Sequence, residues 1–130
     1  MPNPVNSKPQ LLAWLTCDAV HIDPNSGKHT ILGVFTNIQA KQFPMMHPHM
    51  VWFMILTDVA AGPHKMRISL GLSPTDLKPL IERNFESQGP LGRINLINEI
   101  RNLIFPKPGE YGILVEIDDE PLLATNINVL

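Results

Sequence analysis

The chain has 130 residues, 44% of them hydrophobic, and a formal net charge of −2. This length favours a single domain, and the apolar fraction is sufficient for a packed core. Without a basic cluster or an apolar run of membrane-spanning length, we expect neither a nucleic-acid partner nor a membrane segment. Cys17 is the single cysteine, so an internal disulfide is excluded.

The N-terminal part of the chain predicts an arm and two strands. Residues 1–10 are polar, contain three prolines and predict a loose N-terminal arm, which leaves 11–130 as one domain. Residues 11–22 favour a first strand, and DPNSG at 23–27 favours a turn. The β-branched and aromatic residues of 29–43 favour a second strand.

Two strands of different character are predicted next. Residues 50–57, MVWFMILT, form a continuous apolar run of strand length. Residues 64–72 alternate, with Met66 and Ile68 on the apolar face, which is typical of a half-buried strand. The AAGP sequence at 60–63 predicts a four-residue hairpin loop between them.

The following region is ambiguous. We predict a loop at 73–78 and a strand at 79–86, because Pro79 would interrupt a helix that began earlier. Residues 93–105 fit both helical and strand spacing. We favour a strand to about residue 101 and a short helical turn before Pro106, with a helix as the alternative.

The C-terminal segment predicts a hairpin. Residues 111–117 favour a strand, Asp118 and Asp119 begin a tight turn, and 122–130 favour the closing strand. About seven short strands at turn spacing then predict an all-β fold, an antiparallel β-sandwich.

The sequence FPKPGEYGILVEIDDEPLLATNINV resembles the end of many immunoglobulin-like sandwiches. Together with CDAVHIDPNSGKHTILGVFTNI and FPMMHP, it resembles a family of small uncharacterised bacterial proteins, from residue 15 onward. The resemblance implies an immunoglobulin-like sandwich in a bacterial, cytoplasmic protein, and it transfers no catalytic residue. It also implies structural roles for Gly109 and for Tyr111, whose hydroxyl would bond nearby backbone as a tyrosine corner.

The segment Met45-Met46-His47-Pro48-His49-Met50 is the densest group of soft and polar side chains. Thioethers and imidazoles suit copper, so His47, His49 and Met46 are weak candidate metal ligands. The alternative is a loop with packed methionines and solvated histidines. Because three convergent ligands are not evident, we predict no metal and no other cofactor.

The apolar run at 50–57 predicts a surface for self-association. If 60–63 is a hairpin loop, Phe53 and Ile55 face the core. The other face then presents an apolar interface to a second copy of the chain, and a homodimer would cover it. That interface comprises Met50, Trp52, Met54 and Leu56. Alternatively, a one-residue shift turns these residues inward, or the arm or the 73–78 loop covers them.

Three functional hypotheses follow. The first is a non-enzymatic binding or assembly module, because no catalytic signature surrounds Cys17 or any histidine. The second is a copper-type metal-binding protein that uses residues 45–50. The third is an enzyme whose site is assembled from loops.

Overall fold

The computed structural model describes residues 8–130 and consists of nine strands and one 3₁₀ turn. The strands are β1 (Gln10–Ile22), β2 (His29–Val34), β3 (Asn37–Ile38), β4 (Met45–Thr57), β5 (Gly62–Gly71), β6 (Lys78–Ser87), β7 (Ile94–Phe105), β8 (Gly109–Ile117) and β9 (Glu120–Val129). The 3₁₀ turn is Pro74–Asp76. Most of the predicted arm, residues 1–7, lies outside the described residues.

The strands form two sheets that share one apolar core. The four-stranded sheet has the order β2-β1-β4-β7, and the five-stranded sheet has the order β3-β9-β8-β5-β6. All pairs are antiparallel except β3 with β9. The predicted all-β class is confirmed, but there are nine strands rather than about seven. One reason is that the predicted strand at 29–43 divides into β2 and β3, which belong to different sheets.

The predicted interface lies in the core. All four of its residues have no exposed surface and pack with core residues of the other sheet such as Met66, Ile68 and Ile113. The four are Met50, Trp52, Met54 and Leu56. The prediction that a second copy of the chain covers this face is therefore wrong.

The error arises from the loop after β4. β4 pairs with β1 and β7, whereas β5 pairs with β6 and β8. The segment at 58–61 thus carries the chain from one sheet to the other, with Val59 fully buried, and is not a hairpin loop. Because an apolar run allows either face to be buried, the assumed pairing decided the orientation, and it selected the wrong face.

The opposite face of β4 is covered within the chain. Cys17, Val51 and Phe53 form a second buried cluster against which Val20 and Ile31 pack. β1 pairs with β4 only as far as Cys17 and Val51, and beyond that point it pairs with β2 alone. The His29 ring lies 5.7 Å from the Phe53 ring. The end of the β1–β2 hairpin therefore folds over the four-stranded sheet.

β7 is a strand throughout, and the predicted helical turn before Pro106 is absent. Leu96 and Ile100 are buried in the core, and Asn102 then adopts a φ of +56°. Asn102 interrupts the regular alternation of side chains between the two faces of the strand, so that Leu103 and Phe105 face the core after it. The irregularity explains why an unbroken strand has apolar residues at apparently helical spacing.

Candidate functional site

A groove of about 670 Å³ opens on the outer surface of the five-stranded sheet. The loop between β5 and β6 forms one wall, and β8 and β9 form the floor and the other side. Most side chains that line it are apolar: Leu72, Pro74, Leu77, Ile113, Leu114 and Ala124. The groove has the dimensions and the predominantly apolar lining that are typical of ligand sites.

Two glycines lie side by side at the groove. Gly71 on β5 lies opposite Gly112 on β8. A Cβ on Gly71 would overlap the Asp76 carbonyl oxygen, so this glycine allows the 3₁₀ turn to fold down against the sheet. A Cβ on Gly112 would make ordinary van der Waals contacts with the Gly71 carbonyl oxygen at 3.6 Å and with Leu77 Cδ2 at 3.9 Å, so this position has room for a small group. The groove thus depends on Gly71 for its wall and on Gly112 for its free volume.

Polar groups lie at the rim. The Asn126 Nδ2 donates to Glu110 Oε1 at 2.7 Å, and both side chains are exposed. Ser73 and Thr125 complete the polar lining. Glu110 is the one titratable group among the lining residues, so the rim offers hydrogen-bond acceptors and a single negative charge.

A second polar constellation joins His64 and Asp118 at the other end of the same sheet. The His64 Nδ1 lies 2.5 Å from Asp118 Oδ2, and Nε2 lies 2.6 Å from the Ala60 carbonyl oxygen. Asp118 Oδ1 also accepts from the Lys65 amide at 2.9 Å. Each ring nitrogen of His64 therefore faces an acceptor oxygen. The imidazolium form satisfies both oxygens, because it donates from both nitrogens.

The pKa values of both groups are shifted in agreement with this arrangement. Burial lowers the pKa of His64, but the hydrogen bonds to Asp118 and to Ala60 outweigh it, and the net shift is upward. Burial raises the pKa of Asp118, but the hydrogen bonds from His64 and from the Lys65 amide, together with the charge of His64, outweigh it, and the net shift is downward. No local sequence pattern predicts this pair, because 54 positions separate its members.

The candidate metal ligands lie near the start of β4. His47 and His49 are half-buried, and the His47 ring lies 5.9 Å from the ring of Phe35. Met46 is 53% exposed and lies opposite Ile104 of β7. Within residues 8–130, no three His, Cys, Asp or Glu side chains form a group that could hold a metal ion.

Tyr111 and Gly109 lie at the start of β8. The Tyr111 ring is buried against Phe105, with the two ring centroids 5.0 Å apart. Its hydroxyl donates to the Lys107 carbonyl oxygen at 2.7 Å, the kind of backbone contact that the resemblance implies. Gly109 pairs with Val129 of β9, and a Cβ there would lie 2.9 Å from Leu72 Cδ2.

Cys17 is buried and donates a hydrogen bond from Sγ to the Val51 carbonyl oxygen. Burial is the main cause that raises the pKa of its thiol, with a further contribution from the neighbouring Asp18. A thiol with a raised pKa is a poor nucleophile at neutral pH, so Cys17 acts as a small apolar core residue.

Comparisons with known proteins give a family and a similar fold. Residues 12–130 match the model of a family of unknown function, DUF6941. No curated protein matches the chain. No helix among the described residues has the length and apolar character needed to cross a membrane.

A Pseudomonas fluorescens alkylpurine DNA glycosylase, AlkC, bound to DNA containing an abasic site analog is similar in structure, with a TM-score of 0.55 and 10% sequence identity. The match covers 96% of this chain but 31% of the glycosylase. At that identity the likeness concerns the fold alone.

Proposed function

Because the chain belongs to the family of unknown function DUF6941, its role must be inferred from its own surfaces, and we propose that it is a non-enzymatic binding module. The supporting observation is the apolar groove over Gly71 and Gly112. Among its lining residues, Glu110 has no titratable partner with which to share general acid–base work. The groove therefore suits recognition better than catalysis.

The lining favours a ligand with a flat apolar group. The Asp76–Leu77 backbone covers Gly71, whereas no side chain of Gly112 covers β8, and an aromatic ring is the usual cover for a glycine in a strand. Leu77 and Leu114 would contact the edges of such a ring. At the rim, Glu110 and Asn126 would accept hydrogen bonds from a donor or cation on the same ligand.

The immunoglobulin-like sandwich and the cytoplasmic setting belong to this proposal. Two sheets with a common core support the sandwich. The resemblance of the sequence to small bacterial proteins, together with the buried free thiol of Cys17, supports the cytoplasm.

The proposal is tested with a neutral apolar dye, N-phenyl-1-naphthylamine, whose fluorescence rises in apolar sites. We expect saturable one-site binding that Gly112→Val abolishes, because the valine occupies the free space of the floor. Asn84→Val is the control, since it adds a similar side chain at an exposed position of the same sheet outside the groove. Equal dye binding by all three proteins, or no saturable binding, would refute the proposal.

A further inference from the structure

The free edges of the two sheets differ in their protection against pairing with another strand. β6 begins at Lys78 and Pro79, and β3 is two residues long. At β7, Arg83 Nη1 donates to the Ile97 carbonyl oxygen at 3.0 Å and so occupies one position of that edge. Prolines, charged side chains, short strands and covered edges all prevent edge-to-edge association.

β2 is the exception. Its sequence, HTILGV, contains no proline and no lysine, arginine or carboxylate. Leu32 and Val34 are 49% and 56% exposed, and within residues 8–130 only β1 pairs with this strand. An uncharged apolar edge strand of six residues with exposed leucine and valine is a surface on which another strand can add.

Charges near the two ends of β2 indicate which kind of strand can pair with its free edge. Lys28 immediately precedes the strand, and the carboxylate of Asp18 lies against Gly33 near its end. Both side chains are exposed, and neither forms an ion pair with another described residue. An edge strand that is flanked by a positive charge at its start and by a negative charge near its end is complementary to an antiparallel copy of itself.

We propose that β2 pairs antiparallel with β2 of a second copy of this chain about a two-fold axis. With the axis at Ile31, Lys28 lies opposite Val34 of the second copy, next to Gly33 and Asp18. The lysine methylenes then cover the exposed valine while the ammonium group reaches the carboxylate, and symmetry repeats the contact. The two four-stranded sheets become one eight-stranded sheet, and the groove on the other sheet stays open.

Sedimentation equilibrium of the full chain across the micromolar range tests the proposal. We expect the wild type to form a reversible dimer that weakens as salt is added. Lys28→Asp and Asp18→Lys should each raise the dissociation constant about tenfold, because each creates two like-charge contacts per dimer. The double variant, which exchanges the two charges, should recover the wild-type constant to within about threefold.

Two controls separate this interface from general effects. Lys41→Asp makes the same charge change at an exposed position outside the strands and should leave the dimer unaffected. Urea titration verifies that each variant is folded. Because Lys28 lies outside β2, Lys28→Asp tests the charged contact without altering the strand. A wild type that stays monomeric, or a dimer that tolerates both single reversals, would overturn the proposal. Neither result would affect dye binding in the groove.

Discussion

The pairing of His64 with Asp118 makes the stability of the domain depend on pH in a defined direction. Because the folded-state pKa of His64 is raised, its stabilising contribution is fully present below the unfolded value of about 6.5 and is lost as pH rises through the folded pKa. Because the folded-state pKa of Asp118 is lowered, its contribution is present above about pH 3.8 and is lost as pH falls through the folded pKa. The pair therefore stabilises most between about pH 4 and 6.5.

Asp118→Asn isolates this contribution. Asparagine tolerates the φ of +52° at this turn position and can still accept from the Lys65 amide, so the charge is the main change. A hydrogen bond between charged groups contributes about 1.5–3 kcal/mol, which must be reduced here because the Asp118 side chain is 48% exposed. We expect a loss of about 1–2 kcal/mol in the free energy of unfolding at about pH 5.5.

Urea titrations at about pH 5.5 and about pH 9 check this expectation. At the higher pH His64 is neutral, and the loss caused by Asp118→Asn should fall to less than half. Glu120→Gln, two residues along the same hairpin and exposed, should cost little at either pH. An equal loss from Asp118→Asn at both pH values would show that the loss does not depend on the charge of His64 and would contradict this account.

Four further predictions concern packing and metal binding. Met54→Lys should destabilise the fold by more than about 4 kcal/mol, because Met54 is fully buried. Met46→Lys, at a 53% exposed position, should change the free energy of unfolding by less than about 0.5 kcal/mol. Equal urea midpoints for the two variants would contradict the orientation of β4. Tyr111→Phe should cost about 1 kcal/mol through the lost hydrogen bond to Lys107, and an unchanged midpoint would remove the tyrosine-corner role. Gly71→Ala should lower the free energy of unfolding by at least about 2 kcal/mol, and Gly112→Ala should lower it by less than about 1 kcal/mol. A larger loss from Gly112→Ala than from Gly71→Ala would contradict the contact of the 3₁₀ turn with Gly71. Calorimetric titration with Cu(I), Cu(II) and Zn²⁺ should detect no tight site; micromolar binding that His47→Ala with His49→Ala removes would establish one.

Patterns within single strands predicted much of the fold. The alternation at 64–72 correctly placed Met66 and Ile68 in the core, and the Asp118–Asp119 turn appears between β8 and β9 with positive φ at both residues. The loop at 73–78 is also present, apart from its short 3₁₀ turn and the first residue of β6. These features depend on local spacing and turn chemistry, which one sequence displays.

Features that depend on strand order were not predictable. Both faces of β4 are buried, one by the other sheet and one by the folded-over β1–β2 hairpin, so apolarity could not identify the core side. The groove depends on the register that sets Gly71 opposite Gly112, two glycines that are 41 positions apart in the chain. The same limitation hid the contact between His64 and Asp118, since nothing local to either residue specifies the other.

Backbone amide NMR of the labelled protein, titrated with N-phenyl-1-naphthylamine, tests the proposed binding function most directly. Binding in the groove should shift the amide signals of Gly71, Gly112, Thr125 and Asn126, while those of β2 stay unchanged. The same titration of Gly112→Val should leave the groove signals in place. Shifts scattered over the surface, or shifts that persist in Gly112→Val, would contradict a ligand site at the paired glycines.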